Sequence, residues 1–180
     1  QYDSFGNPKK IAVSPDSLNG RNTYYKYDTK GRMVTGIKND MGDSTELTND
    51  YGLGVVTQSK DRNGLNTNYT YDDFGRNTRT DYPDGTWTSI SSDWAIDGNQ
   101  VYSVKAQSGG SADIIKYFDK LGREILAKTV NVKGDSVFAN TVYNTKGQLS
   151  YVTLPYFKGE SNSAKKTITF DEYGRVTAER

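Results

Sequence analysis

The chain has 180 residues, with neither cysteine nor histidine among them. Those two absences remove Ser-His-Asp and Cys-His nucleophilic catalysis, thiolate chemistry, disulfide frameworks and the usual zinc sites. No enzymatic activity and no cofactor are therefore expected. An excess of charge of one sign is also missing, because 23 Lys and Arg stand against 22 Asp and Glu. Without a net field to collect phosphates, no nucleic-acid partner is expected. No run approaches the ~18 consecutive apolar residues of a membrane-spanning helix, so membrane insertion by this segment is not expected. No signal peptide opens it. Hydrophobic residues make up only 33% of the chain, too few for a thick two-layer core.

What the chain does have is 14 tyrosines and 18 glycines. Tyrosine can cover a sheet face with its ring and leave its hydroxyl in water, which points to a thin wall. Many of the glycines belong to one recurring motif. Tyr71-Asp72-Asp73-Phe74-Gly75-Arg76 and Tyr27-Asp28-Thr29-Lys30-Gly31-Arg32 are full copies. Phe118-Asp119-Lys120-Leu121-Gly122-Arg123 and Phe170-Asp171-Glu172-Tyr173-Gly174-Arg175 exchange Tyr for Phe. Tyr2-Asp3-Ser4-Phe5-Gly6-Asn7 and Tyr143-Asn144-Thr145-Lys146-Gly147-Gln148 are worn. The motif glycines are separated by 25, 44, 47, 25 and 27 residues, and each long gap has a degenerate candidate near its middle, Asp50-Tyr51-Gly52 and Asp97-Gly98. Residues 1–180 are thus expected to form one array of about eight units of 21–27 residues, each a supersecondary element stacked on its neighbours.

One unit reads as a hairpin. Asn68-Tyr69-Thr70-Tyr71 alternates polar and aromatic residues, the period of a strand. Asp-x-x-Gly then supplies a type I turn, with the aspartate accepting backbone N–H bonds and the glycine taking positive φ. Arg76 opens the return strand, able to pair with Asp72 or lie on an aromatic ring, and reads mainly as a register and packing residue. With no sustained helical period anywhere, the expected class is all-β: tandem hairpins in a continuous curved antiparallel sheet.

Several stretches depart from the pattern. Pro15-Asp16 to Asn19-Gly20 reads as a connection, Leu47 to Gly54 as irregular, and Gln107-Ser108-Gly109-Gly110-Ser111 as a loop. Leu154-Pro155-Tyr156-Phe157-Lys158-Gly159-Glu160 breaks the repeat, and Pro155 keeps it out of a central strand. Asp61-Arg62-Asn63-Gly64 invites a calcium reading, but the glycine and closing glutamate of an EF-hand loop are not at the required positions. The adjacent pairs Asp72–Asp73 and Asp171–Glu172 sit at turns, where acids cap amides, and make poor acid/base couples. Trp87 and Trp94 could offer a sugar platform; packing of neighbouring repeats is the expectation for both.

With its Tyr-Asp-x-x-Gly-Arg core at 27–32 and 71–76, the chain resembles the YD-repeat, or Rhs-repeat, family along essentially its whole length. Tyr51-Gly52-Leu53 through Asp61-Arg62-Asn63-Gly64, Tyr82-Pro83-Asp84-Gly85-Thr86-Trp87, Tyr117-Phe118-Asp119-Lys120-Leu121-Gly122-Arg123-Glu124 and the Leu154–Glu160 stretch are similar to the B component of insecticidal toxin complexes and SpvB-like proteins. The resemblance implies a secreted or surface parent whose β-ribbon spirals into a hollow, non-enzymatic shell around a toxic polypeptide. The implied partners are neighbouring repeats of the parent chain, the enclosed polypeptide and other toxin-complex subunits. A glycan-binding or adhesive surface array is the alternative. The family's autoproteolytic aspartate lies in an Asp-Pro-rich core; this chain has no Asp-Pro dipeptide, and no catalytic residue is carried over. The ends, inside a turn motif at Gln1-Tyr2-Asp3 and just past Gly174-Arg175, read as those of a piece of a much longer protein. Eight hairpins at ~4.8 Å per strand make a ribbon of about 77 Å, which closes to about 24 Å across. A folded passenger of roughly 150 residues needs about 38 Å, so this array alone cannot enclose one.

Overall fold

The computed structural model describes residues 1–13, 21–131, 133–160 and 164–180. The connection read at Pro15 to Gly20 lies outside them. The chain forms two compact units, Gln1–Trp87 and Thr88–Arg180.

In the first unit the strands β1 (Lys10–Val13), β2 (Arg21–Tyr27), β3 (Val34–Asn39), β4 (Ser44–Asp50), β5 (Val55–Lys60), β6 (Asn66–Tyr71) and β7 (Asn77–Asp81) pair antiparallel, each with the next. The expectation that Leu47 to Gly54 is irregular is corrected here, since Leu47 to Asp50 belongs to β4, with Leu47 opposite Ser59 and Thr48 opposite Gln58. Its Thr-Asn-Asp run has no apolar alternation to mark a strand. Pairing with β5 supplies the order that local propensity lacks.

The second unit contains β8 (Trp87–Asp97), β9 (Gln100–Ser108), β10 (Ile114–Phe118), β11 (Glu124–Val130), β12 (Ser136–Tyr143), β13 (Leu149–Thr153), β14 (Tyr156–Phe157), β15 (Lys165–Phe170) and β16 (Val176–Glu179). Consecutive strands again pair antiparallel, except that β13 pairs β15 and the short β14 folds back on β12. Pro155 stays outside any strand, as expected. The next two residues do not: Tyr156 lies opposite Phe138, their rings 5.9 Å apart, and the Tyr156 hydroxyl accepts from Asn140 Nδ2 at 2.8 Å. Gln107 and Ser108 finish β9, and the Gly-Gly pair turns tightly, with Ser111 N–H donating to the Ser108 carbonyl at 3.3 Å.

No hydrophobic side chain among the described residues is buried; only Asp119 and Thr153 are, at 9% and 3% exposure. The units hold together by cross-strand hydrogen bonds and by side chains leaning on one another across neighbouring strands, not by a second layer. That is the thin wall the composition implies. No helix among the described residues is long and apolar enough to cross a membrane.

Candidate functional site

The motif residues converge on the hairpin turns. At Asp72 the backbone N–H donates to the Arg76 carbonyl at 3.0 Å, and Gly75 N–H donates back to the Asp72 carbonyl at 2.9 Å. Oδ1 accepts from the N–H groups of Phe74 and Arg76 at 3.0 and 2.9 Å, and Oδ2 accepts from Arg76 Nε at 2.7 Å. Gly75 closes the turn at φ +76°, a conformation a Cβ would strain. The same arrangement stands at Asp119 with Gly122 and Arg123, and at Asp171 with Gly174 and Arg175. At Asp28 the loop is one residue longer: its N–H reaches the Met33 carbonyl, and Arg32 grips Oδ2 with Nε and Nη2 at 3.0 and 2.9 Å. The worn copies keep the geometry with neutral partners, Asp3 holding Asn7 and Asn144 holding Gln148.

Two turns at the opposite strand ends use the same device with the acid moved to the far side of the turn. Asn39 and Asn131 take the aspartate's place, and each donates through Nδ2 to an aspartate four residues on, Asp43 at 2.9 Å and Asp135 at 3.1 Å. Asn-x-x-Gly-Asp was legible as their signal; without the flanking Tyr and Arg it did not stand out as the same motif. Asp61 commits Oδ1 to the N–H groups of Asn63 and Leu65, the ordinary use of a turn acid.

These bonds set the acids' protonation. For Asp28, partial burial works against the charge, but the N–H groups of Arg32 and Met33 and the Arg32 guanidinium outweigh it and pull the carboxyl from the ordinary 3.8 to about 2. Asp72 and Asp171 are lowered by the Arg76 and Arg175 N–H groups foremost; for Asp119, burial is the largest influence, opposed and overcome by Arg123. A carboxyl depressed by folding contributes stability that is present above its unfolded value and lost as the pH falls through its folded one. Thermal stability is therefore expected to fall between about pH 4 and about pH 2, and Asp28→Asn to flatten that descent in a melting series. A descent unchanged by the substitution would rule out this assignment to Asp28.

Each motif arginine does both things its sequence allowed, pairing with its aspartate and covering an aromatic ring. Arg76 and Arg175 lie over Phe74 and Tyr173 of their own turns, at 5.4 and 5.2 Å. Arg32 and Arg123 have Lys30 and Leu121 at that position and reach instead to Tyr51 and Tyr143 of the following turn region, at 4.4 and 4.3 Å. The motif tyrosines add a tether that sequence reasoning missed. Tyr27, Tyr71 and Tyr143 donate their hydroxyls to the carbonyls of Pro8, Val56 and Glu124, at 3.2, 2.7 and 3.2 Å. Phe118, with no hydroxyl, stacks on Tyr102 at 4.8 Å, and Phe170 sits opposite Val176.

Register then sorts the remaining residues into two faces. In the first unit, Tyr25, Ile37 and Thr45 lie opposite one another, as do Leu47, Ser59 and Thr67, on the face of Tyr27 and Tyr71. Every one of these is half-buried although no second layer covers them. The reverse face carries Lys10, Lys26, Lys38, Glu46, Lys60, Arg79 and Asp81. In the second unit the face of Phe118 is apolar, with rows Trp94–Tyr102–Phe118 and Ile90–Ala106–Ile114–Thr129–Val137. On its reverse, Lys128 lies over Phe138 and Lys165 over Tyr151. Trp87 is covered by Arg79 at 4.5 Å, as packing predicts. Trp94 corrects the expectation: it is 81% exposed, because it stands near the tip of the long β8–β9 hairpin.

No family model matches the sequence, and no curated protein does. The architecture of consecutive antiparallel hairpins is shared with chains of Tc toxin complexes. The crystal structure of TcdB2-TccC3-Cdc42 matches with a TM-score of 0.59 and 12% identity over 98% of this chain. TcdB2-TccC3 without its hypervariable C-terminal region gives 0.59 and 11% over 98%, and the Photorhabdus luminescens Tc holotoxin pore carrying a TccC3 mutation gives 0.52 and 12% over 96%. The match spans 12% of the length of each of those chains.

Proposed function

We propose that this chain is a non-enzymatic wall segment of a β-sheet shell that holds a toxic polypeptide for delivery, in the manner of YD-repeat toxin-complex B components. The observation that carries the reading is a single-layered, two-faced sheet with no buried hydrophobic side chain among its described residues, in a fold shared with Tc toxin-complex chains. An autonomous globular domain would bury its apolar face against a second layer. In a wall, that face is left for the contents. In each unit the motif face lines the interior, with Tyr25, Ile37, Leu47 and Tyr69 in the first and Ile90 and Phe118 in the second, and the reverse face meets solvent. Its partners are neighbouring repeats of the parent, the enclosed polypeptide and the other subunits of the complex. The parent is secreted or held at the cell surface.

The adhesive alternative calls for a repeated row of exposed aromatic rings; the open rings before the motif glycine, Phe5, Phe74 and Tyr173, are interrupted by Lys30, Leu121 and Lys146, and of the two tryptophans only Trp94 is open. Electron microscopy of the parent protein, purified with the chain that follows these repeats, tests the reading. A hollow particle with density inside is expected. An open rod or a solid stalk would overturn it.

A further inference from the structure

The acids and bases of the first unit are segregated. Most of its aspartates, including Asp28, Asp61 and Asp72, occupy turns and hold backbone N–H groups. Its mid-strand lysines gather on the face opposite the motif tyrosines. Lys10, Tyr24 and Lys38 lie directly opposite one another on β1, β2 and β3. One step along, Lys26, Gly36, Glu46 and Lys60 follow on β2, β3, β4 and β5. The lysines alternate between these two rows, and at ~4.8 Å per strand the zigzag is about 19 Å long and about 7 Å wide.

Lys26 and Lys38 are exposed and make no ion pair among the described residues. Lys60 is 4.0 Å from Glu46, the one acid in the strip, and Lys10 lies over the Tyr24 ring at 5.5 Å, with Asp40 at the rim. Tyr24 is 39% exposed, and Gly36 places no side chain in the centre of the strip. The chain as a whole carries a net charge of only +1, so this strip is a local feature and not the consequence of a basic protein.

We propose that this strip binds a linear anionic polysaccharide, one bearing sulfate or carboxylate groups. The length and the narrowness fit a single extended chain whose charges project alternately to either side. The exposed part of the Tyr24 ring, beside the Lys10 ammonium, offers an apolar contact to a sugar, which a bare phosphate chain would not use. A bilayer surface would call for charge spread in two dimensions. The proposal stands on the lysine-bearing face of the first unit and does not depend on the shell reading.

Heparin in solution is the probe, with binding followed at rising salt. The chain is expected to bind, with Lys26→Gln/Lys38→Gln binding about ten-fold more weakly, the loss of two exposed ion pairs. Its salt dependence should be shallower by about two counterions. Glu46→Gln, which removes the acid within the two rows, is expected to bind more tightly, and Tyr24→Leu more weakly with an unchanged salt slope. All four positions are exposed, and matching circular dichroism melts establish that the fold is kept. Heparin binding indifferent to these substitutions would overturn the proposal. So would stronger binding to single-stranded DNA or to phosphatidylserine vesicles than to heparin at equal salt.

Discussion

Replacing Gly31 by alanine is expected to destabilise the first unit by about 2–3 kcal/mol, against about 1 kcal/mol for the same change at Gly85. Both glycines have positive φ, +67° and +82°, so each substitution carries the left-handed backbone penalty. The difference lies in what surrounds them. A Cβ at Gly85 meets open space, whereas one at Gly31 meets Phe5 Cδ2 at 2.5 Å and Phe5 Cβ at 2.9 Å. The ring must swing away, and the Gly31 carbonyl, which accepts from Asn7 Nδ2 at 2.7 Å, is disturbed with it. The first two turns of the array are joined at this point. Urea unfolding of both variants and of Phe5→Ala/Gly31→Ala checks the argument: the double variant should recover the steric part and keep the backbone part. Equal losses at Gly31 and Gly85 would show that the Phe5 contact is without weight.

Asp119→Ala is expected to cost the second unit about 2–4 kcal/mol, and Asp119→Asn about 1 kcal/mol. Asp119 is more enclosed than the acids of the two like-built turns; its side chain is 12% exposed, against 24% at Asp72 and 22% at Asp171. Alanine leaves the N–H groups of Leu121 and Arg123 without the acceptor that now binds them at 2.9 and 3.0 Å. It also frees the Arg123 guanidinium, which is held between Asp119 Oδ2 and the Tyr143 ring. Asparagine keeps the acceptor for both N–H groups and loses only the ion pair. The chain itself contains that neutral version: Asn144 binds the N–H groups of Lys146 and Gln148 at 3.0 and 2.9 Å with no charge involved. The same alanine change at Asp171 should cost less, since water can reach the groups left behind. Denaturant midpoints for the three variants, taken at constant slope, rank these effects. Alanine and asparagine costing the same at position 119 would mean that the ion pair, and not the turn, carries the effect.

The hairpins and their turns were legible because the determinants lie within six consecutive residues. An aspartate at the start of the turn binds N–H groups two to five residues ahead, and glycine is the residue that accepts the turn's last dihedral without strain. Tyr27 to Arg32 and Tyr71 to Arg76 could therefore be read as they fold. Where the local signal was weak, as along Thr48-Asn49-Asp50, the strand was missed, since only pairing with β5 makes it one. Tyr156 and Phe157 became strand for the same reason, with β12 supplying their partner after a proline had broken the pattern.

Sequence alone determined the class, the period and the turn chemistry, all set by contacts spanning a few residues. Tertiary structure decided what depends on residues from different hairpins. It selected Tyr51 and Tyr143 as the rings under Arg32 and Arg123, and it tied the motif tyrosine hydroxyls to carbonyls 15 to 19 residues upstream. It also chose which of two alternating faces collects Lys10, Lys26, Lys38 and Lys60. Alternation along one strand says only that neighbours point in opposite directions. Registers carried from strand to strand, with a bulge at several of the motif turns, determine which side chains of distant units end on the same side.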